Sequence, residues 1–316
     1  MQEINSEKKA NDFEGEIDLR KVFFVLAQEK LIIISLTFFV SIIGIIYSLQ
    51  LPDVYESEAL LAPIEDSSSL MSGSASEFSG LAGLVGINLP SVDANSNSKK
   101  AKEVMNSLDF FENYLMPKIF LPNLMAVDYW EEENNKIIYD EGIFKENTNS
   151  WTRDFSYPKQ LVPSAQESFL VFKEKHFNLQ EDESTGYMIL SMKHQSPLIA
   201  KQWVEIIVKE VNAYFREKDR ARSEKAVIFL NKQMAATTLS EVRLVTASLA
   251  QKEIQKLTLI EANEDYVFEY IYPPSIMEEK SGPKRAFIVI LFAFLGLILS
   301  IIFVFFKHHF YQGKSS

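Results

Sequence analysis

The side chains best able to do chemistry here are four histidines and 43 carboxylates, so they are weighed first. His176 and His194 stand alone, and His308-His309 adjoin an apolar run. None has the His-Glu-x-x-His spacing that turns two imidazoles to one face of a helix for a metal. His176 and His194 read as surface residues, and His308 and His309 as residues at a membrane edge. A glycosidase needs one carboxylate as acid and a second as base or nucleophile, but nothing in the sequence singles out such a pair. No Gly-x-Ser-x-Gly turn exposes a nucleophile, and no Gly-x-x-x-x-Gly-Lys-Ser/Thr loop cradles phosphate. With no cysteine, disulfides and thiolate metal sites are excluded. The expectation is therefore a protein that is not an enzyme, with no catalytic, cofactor-binding or metal-ligating residue. The net charge of −11 counts against a nucleic-acid partner.

The strongest signal is positional. Residues 31–51 (LIIISLTFFVSIIGIIYSLQL) and 286–306 (AFIVILFAFLGLILSIIFVFF) contain no Asp, Glu, Lys, Arg or His. As helices both are long enough to cross a hydrocarbon core of about 30 Å, with every backbone polar group satisfied internally. A cleaved signal peptide fits the first run poorly. Thirty residues precede it, seven of them acidic, and the exit Gln50-Leu51-Pro52-Asp53 offers no small-x-small site. Lys8, Lys9, Arg20, Lys21 and Lys30 precede the first run, while Asp53, Glu56 and Glu58 follow it. Lys307 and Lys314 follow the second run. By the positive-inside rule both termini are expected in the cytoplasm and the middle outside it, periplasmic in a bacterium with two membranes. Lys280, Lys284 and Arg285 oppose that orientation, but the first helix usually dominates. The expected organisation is a cytoplasmic segment 1–30, a span 31–51, a periplasmic α+β domain 52–285, a span 286–306 and a short cytoplasmic tail 307–316.

Between the spans, the sequence predicts a strand over 54–63 that loses its alternation at Leu60-Leu61. Residues 1–16 read as disordered, and 17–29 as a helix on the cytoplasmic leaflet or an extension of the first span. Residues 66–98 form a polar loop interrupted by the glycine-rich stretch 78–89 (FSGLAGLVGINL), which would dock on a neighbouring subunit, on lipid or into the domain's own core. A helix is expected over 99–115, irregular chain over 116–165, and short strands at 169–172, 177–180 and 187–193, the last two paired as a hairpin. Ser196-Pro197 opens a long helix over about 197–260, free of Gly and further Pro. Such a helix either projects well beyond a compact base or breaks near 235–238. Residues 266–272 (YVFEYIY) read as a strand, ended by Pro273-Pro274.

In this order the pieces resemble the bacterial chain-length determinant (Wzz-type) family, the polysaccharide co-polymerases. The resemblance is carried by Glu16-Ile17-Asp18-Leu19 before the first span and Leu51-Pro52-Asp53-Val54-Tyr55-Glu56-Ser57 after it. It continues in 187–200 (YMILSMKHQSPLIA), in Pro273, Pro274, Pro283, Lys284 and Arg285, and in Gly296 within the second span. Ile276-Met277-Glu278-Glu279 departs from it, because further prolines are common there. The resemblance implies an α+β domain with a long helix projecting outward, anchored by two membrane helices. It also implies a ring- or bell-shaped homo-oligomer in the inner membrane that sets the length of O-antigen or a related surface polysaccharide. The implied partners are a membrane-embedded polymerase, the growing glycan and the lipid bilayer. Some relatives carry a cytoplasmic tyrosine-kinase domain; with ten residues after Phe306, none is expected here. Gly44 and Gly296 are candidate contacts of the spans and of the oligomer, because small residues let helices approach closely. Pro52 and Tyr55 mark the membrane exit, and Pro273, Pro274 and Pro283 would stiffen the return. The same topology also suits a two-span periplasmic adaptor or sensor of a polysaccharide export machine.

Overall fold

The computed structural model describes residues 26–64 and 96–312. The expected tail 1–16, most of 17–29 and the glycine-rich stretch 78–89 lie outside these residues. The chain divides into two compact units, 53–281 and the paired terminal segments 1–52 and 282–316.

In chain order the elements are α1 (Lys30–Gln50), β1 (Tyr55–Pro63), α2 (Ser96–Met105), the helical turn α3 (Leu108–Phe110) with a wider turn Phe111–Leu115, and α4 (Leu121–Met125). There follow β2 (Val127–Glu131), β3 (Lys136–Tyr139), β4 (Phe144–Lys145), β5 (Ser150–Trp151) and α5 (Ala165–Val171). The rest are β6 (Phe177–Glu181), β7 (Met188–His194), α6 (Pro197–Ala236), α7 (Ser240–Ala262), β8 (Phe268–Tyr272) and α8 (Arg285–Gln312). The architecture is α+β, with a long helix and an apolar helix near each terminus.

The central unit is built on a four-stranded antiparallel sheet of order β6-β7-β1-β8. In β7, Met188, Leu190, Met192 and His194 alternate into the core, the period a pleated strand imposes. β1 pairs with β7 in unbroken register and buries Ser57, Ala59 and Leu61 in alternation, which ends where Ala62 is buried as well. Opposite β8 the register shifts between Leu60 and Leu61, and the unpaired extra residue is Ile271 of β8. Across the sheet lies the first half of α6, burying Ile199, Trp203, Val204, Ile207, Val208, Val211 and Phe215. These positions follow the helical repeat and close the core with Phe110, Phe111 and Phe172.

Of the two expectations for about 197–260, the break near 235–238 is the one found, while three other expectations are corrected. The chain turns at Thr237–Leu239 and α7 folds back along the outer half of α6, so that Arg220 reaches Glu261 at 3.2 Å. Two adjacent β-branched threonines weaken the helix there. The reversal lets small side chains (Ser223 on α6, Thr246 and Ala250 on α7) become buried. The strand expected at 169–172 is the end of α5 and the turn after it. Ser164 caps this helix by accepting from the Glu167 backbone N–H at 3.2 Å. Finally, 116–165 is not irregular throughout: β2–β3 and β4–β5 form two small hairpins. Arg153 closes the loop after them, donating to both carboxylate oxygens of Glu167 at 2.6 and 2.8 Å and to the Leu161 carbonyl at 2.9 Å. The expected helix 99–115 is interrupted at Ser107, whose hydroxyl accepts from the Phe110 backbone N–H and restarts the helix.

Candidate functional site

The terminal unit is a pair of apolar helices, α1 and α8. Both are long and apolar enough to cross a membrane, and within the spanning windows 11% and 17% of residues are buried. A core helix of a soluble protein would be mostly covered. Here Ile34, Phe38, Phe39, Phe287, Ile290 and Phe294 all face outward, the distribution lipid requires. The pair is antiparallel, since Gly44 lies against Phe292, Val40 against Gly296, and Thr37 against Ser300, while Lys307 meets Glu29 at 2.7 Å.

Small residues make that contact possible. A Cβ on Gly44 would fall 2.5 Å from the Cβ of Phe292, and one on Gly296 would fall 2.9 Å from the Cβ of Val40. Both distances are below contact, so glycine is required at each position for the observed approach. Ser48 and Ser300 lie buried in the same seam. Their hydroxyls, with that of Ser41, donate to carbonyls of their own helices at 2.7 to 3.0 Å, so these three donors are satisfied within the spans. Gly44 and Gly296 thus sit between the two spans of one chain. Gly44→Leu is expected to overpack this seam at a cost of about 1–3 kcal/mol. The check uses the natural absence of cysteine: Thr37→Cys with Ser300→Cys, whose hydroxyl oxygens now stand 3.4 Å apart, should cross-link on mild oxidation. Adding Gly44→Leu should suppress that product severalfold.

In the central unit, the start of β1 and the segment after β8 are zipped together. Ser57 donates to the Ser275 carbonyl at 2.8 Å, and the Ser281 backbone N–H donates to the Val54 carbonyl at 2.9 Å. Lys280 holds Asp53 at 3.2 Å. Pro273 and Pro274 follow β8 directly, and lacking N–H groups they end the ladder. Pro283 lies two residues before the first residue of α8. Pro52 holds Leu51 extended (φ −73°, ψ 131°), which stops α1 at Gln50. Tyr55 meets Trp130 of β2 edge to face at 5.4 Å.

His176 and His194 were both expected at the surface; His194 is buried and His176 half-buried beside it. Their rings lie 5.9 Å apart, each edge-on to Trp203 of α6. His194 Nδ1 accepts from the Ser196 backbone N–H at 2.9 Å, so Nε2 carries the proton and donates to the Asn123 carbonyl at 3.0 Å. Ser196 occupies the expected cap of α6, but its side chain makes no capping bond. The imidazole of His194 takes its backbone N–H instead. His176 Nδ1 donates to the Lys193 carbonyl at 2.6 Å. Burial pushes the pKa of His194 down to about 4 and that of His176 below its usual range, so both are neutral at pH 7. Neutral and hydrogen-bonded, they fasten α4, β7 and α6 together. Among the described residues, no group of three or more His, Asp or Glu is arranged to hold a metal.

Asn212 of α6 was not singled out in the sequence. It is buried, accepts from the backbone N–H groups of Val267 and Phe268 at 2.8 and 3.0 Å, and donates to the Phe268 carbonyl at 2.9 Å. One amide thereby satisfies three backbone groups of β8 and its approach, and fixes the strand that leads to Pro273. The available signal was a polar residue inside the apolar stripe Val208, Val211, Phe215.

Residues 15–116 match the family described as Wzz, chain length determinant protein. Of the features described above, the matched stretch holds α1 with Gly44, the exit at Pro52 and Tyr55, β1 and the first core helices. Gly296 and the three prolines lie beyond it. Comparison with curated protein sequences gives no match. Among solved structures, the chain is similar to a full-length bacterial polysaccharide co-polymerase, at 12% identity and a TM-score of 0.42, covering 93% of this chain and 99% of that one. It is also similar to a fragment of WzzB, a polysaccharide co-polymerase from Salmonella Typhimurium (13% identity, TM-score 0.31, 73% of this chain and 100% of that one). A third likeness is to a mutant of the Shigella flexneri lipopolysaccharide O-antigen chain-length regulator (9% identity, TM-score 0.26, 72% and 100%).

Proposed function

We propose that this protein is a two-span polysaccharide co-polymerase of the bacterial inner membrane that regulates the chain length of O-antigen or a related surface polysaccharide. The Wzz-family match over 15–116 is the observation that carries the reading. The protein acts without catalysis of its own, as a homo-oligomeric scaffold that works with a membrane-embedded polymerase. Its central domain lies in the periplasm and both termini in the cytoplasm. The excess of Lys and Arg before the first span and the acidic residues after it support that orientation.

On this reading the close span pair anchors the chain in lipid, and the prolines limit the freedom of its return to the membrane. Gly44 and Gly296 set the seam from which subunits assemble, and Pro273, Pro274 and Pro283 stiffen the link to it. In a strain lacking the protein, Gly296→Leu or Pro283→Ala supplied in its place should shift the length distribution of the surface polysaccharide, with the protein present at wild-type level. Bands resolved on a polysaccharide gel report the result. A ladder identical to that of the wild-type protein would contradict the reading.

A further inference from the structure

A groove of about 500 Å³ opens along α6 beside the sheet-covering half of the helix. Its α6 lining is Glu210, Ala213, Tyr214, Glu217, Lys218 and Ala221, spaced as one helix face, with Arg216 at its margin. Ala213 and Ala221 form a depression there, and Tyr114 and Tyr214 wall it. The two tyrosine rings meet edge to face at 5.1 Å, and Tyr114 stacks on buried Phe110 at 5.5 Å, which fixes the platform. Polar groups of both signs surround it. Glu210 is largely covered and held 3.8 Å from Lys118. Glu217 is open to solvent, and Lys218 stands 5.3 Å above the Tyr214 ring.

We infer that this groove binds a short segment of saccharide. A pyranose has an apolar C–H face and a rim of hydroxyls. The tyrosines, set at right angles, offer the first an apolar corner with polar hydroxyl tips. The carboxylates of Glu210 and Glu217 accept from the hydroxyls, and the ammonium of Lys218 donates to them. Opposite charges around the groove suit a polyhydroxylated ligand. An apolar helix from a second copy would instead strand those charges away from water, which is costly. The choice of saccharide rests on the chain-length reading proposed above.

The test uses the full-length protein in detergent or nanodiscs and, as probe, fluorescently labelled oligosaccharides released from the producing strain's own surface polysaccharide. Polarisation should rise saturably. Tyr214→Ala should weaken binding roughly tenfold or more, as expected for loss of an aromatic contact. Ala221→Trp, which fills the depression from a half-exposed position, should weaken it at least as much. Glu217→Gln should weaken it less, and the oligomer mass should stay unchanged in all three. The inference is overturned if the wild-type protein shows no saturable binding or if Ala221→Trp binds like wild type. It is also overturned if the variants alter oligomer mass, which would make the groove a contact between copies. Absent binding together with a ladder that responds to Gly296→Leu defeats the groove and spares the chain-length reading. Saturable, groove-dependent binding with an unresponsive ladder does the reverse.

Discussion

Asn212→Ala should be among the most damaging single substitutions in the central domain. Its amide satisfies two backbone N–H groups and one carbonyl, at Val267 and Phe268. Removing it leaves these groups enclosed without partners, at a cost of about 3 kcal/mol, since each buried unsatisfied group costs on the order of 1–3 kcal/mol less any relief by water. For a unit of this size that loss lowers the melting midpoint by roughly 6–12 °C. Asn212→Leu should not rescue it, because the deficit is one of hydrogen bonds and not of volume. Asn212→Asp should be damaging too: the carboxylate accepts from the two N–H groups but repels the Phe268 carbonyl and buries a charge. Thermal unfolding of the full-length variants, followed by circular dichroism, is the check. A midpoint for Asn212→Ala within about 2 °C of wild type would mean that less than about 1 kcal/mol rests on this amide.

The second large effect is a loss of stability as pH falls. His194 is neutral in the fold because its Nδ1 accepts a backbone N–H and burial disfavours the charged ring. In the unfolded chain it takes up a proton near its ordinary value of 6.5; in the folded chain it does so only near 4. Between those limits the unfolded state binds more protons, so the free energy of unfolding falls as pH falls. Above about pH 6.5 the stabilisation is fully present, and by pH 4 about 3 kcal/mol has been lost through His194. His176 shifts in the same direction, for the same reason, and lies 5.9 Å away. The two rings therefore titrate as a coupled pair and deepen the loss. His194→Gln should be less stable at pH 7.5 and should flatten the profile between pH 6.5 and 4, as read from denaturant midpoints across that range. An equally steep profile in this variant would refute the assignment.

The spans were legible because about 20 residues without a formal charge leave few alternatives to a membrane helix. The β6–β7 hairpin and the start of α6 were legible as well, through alternation in 187–193 and the Ser196-Pro197 start. What failed did so for identifiable reasons. Phe169-Leu170-Val171-Phe172 favours a strand by composition, but the capping pair Ser164 and Glu167 committed the segment to helix. With no Gly or Pro to mark it, the turn at Thr237–Leu239 was only one of two expectations. The β2–β3 hairpin was hidden because its turn depended on Asn135 adopting a left-handed conformation (φ 47°). His194 was misplaced although the signal was available. It continues the alternation Met188, Leu190, Met192 and so had to point inward. The contact that buries it comes from Trp203 on the next helix, and the bonds that satisfy it come partly from Asn123, some seventy residues earlier. Pattern along the chain gives the direction of a side chain, but not what waits for it.

The central claim is that this protein sets polysaccharide length. Its most direct test is to delete the gene and resolve the surface polysaccharide by length. The account predicts continued export with the preferred length lost: a distribution decaying smoothly from short chains, its mode restored by the intact gene. An unaltered mode in the deletion strain would contradict the claim, and so would loss of the surface polysaccharide altogether, the result expected of an export adaptor.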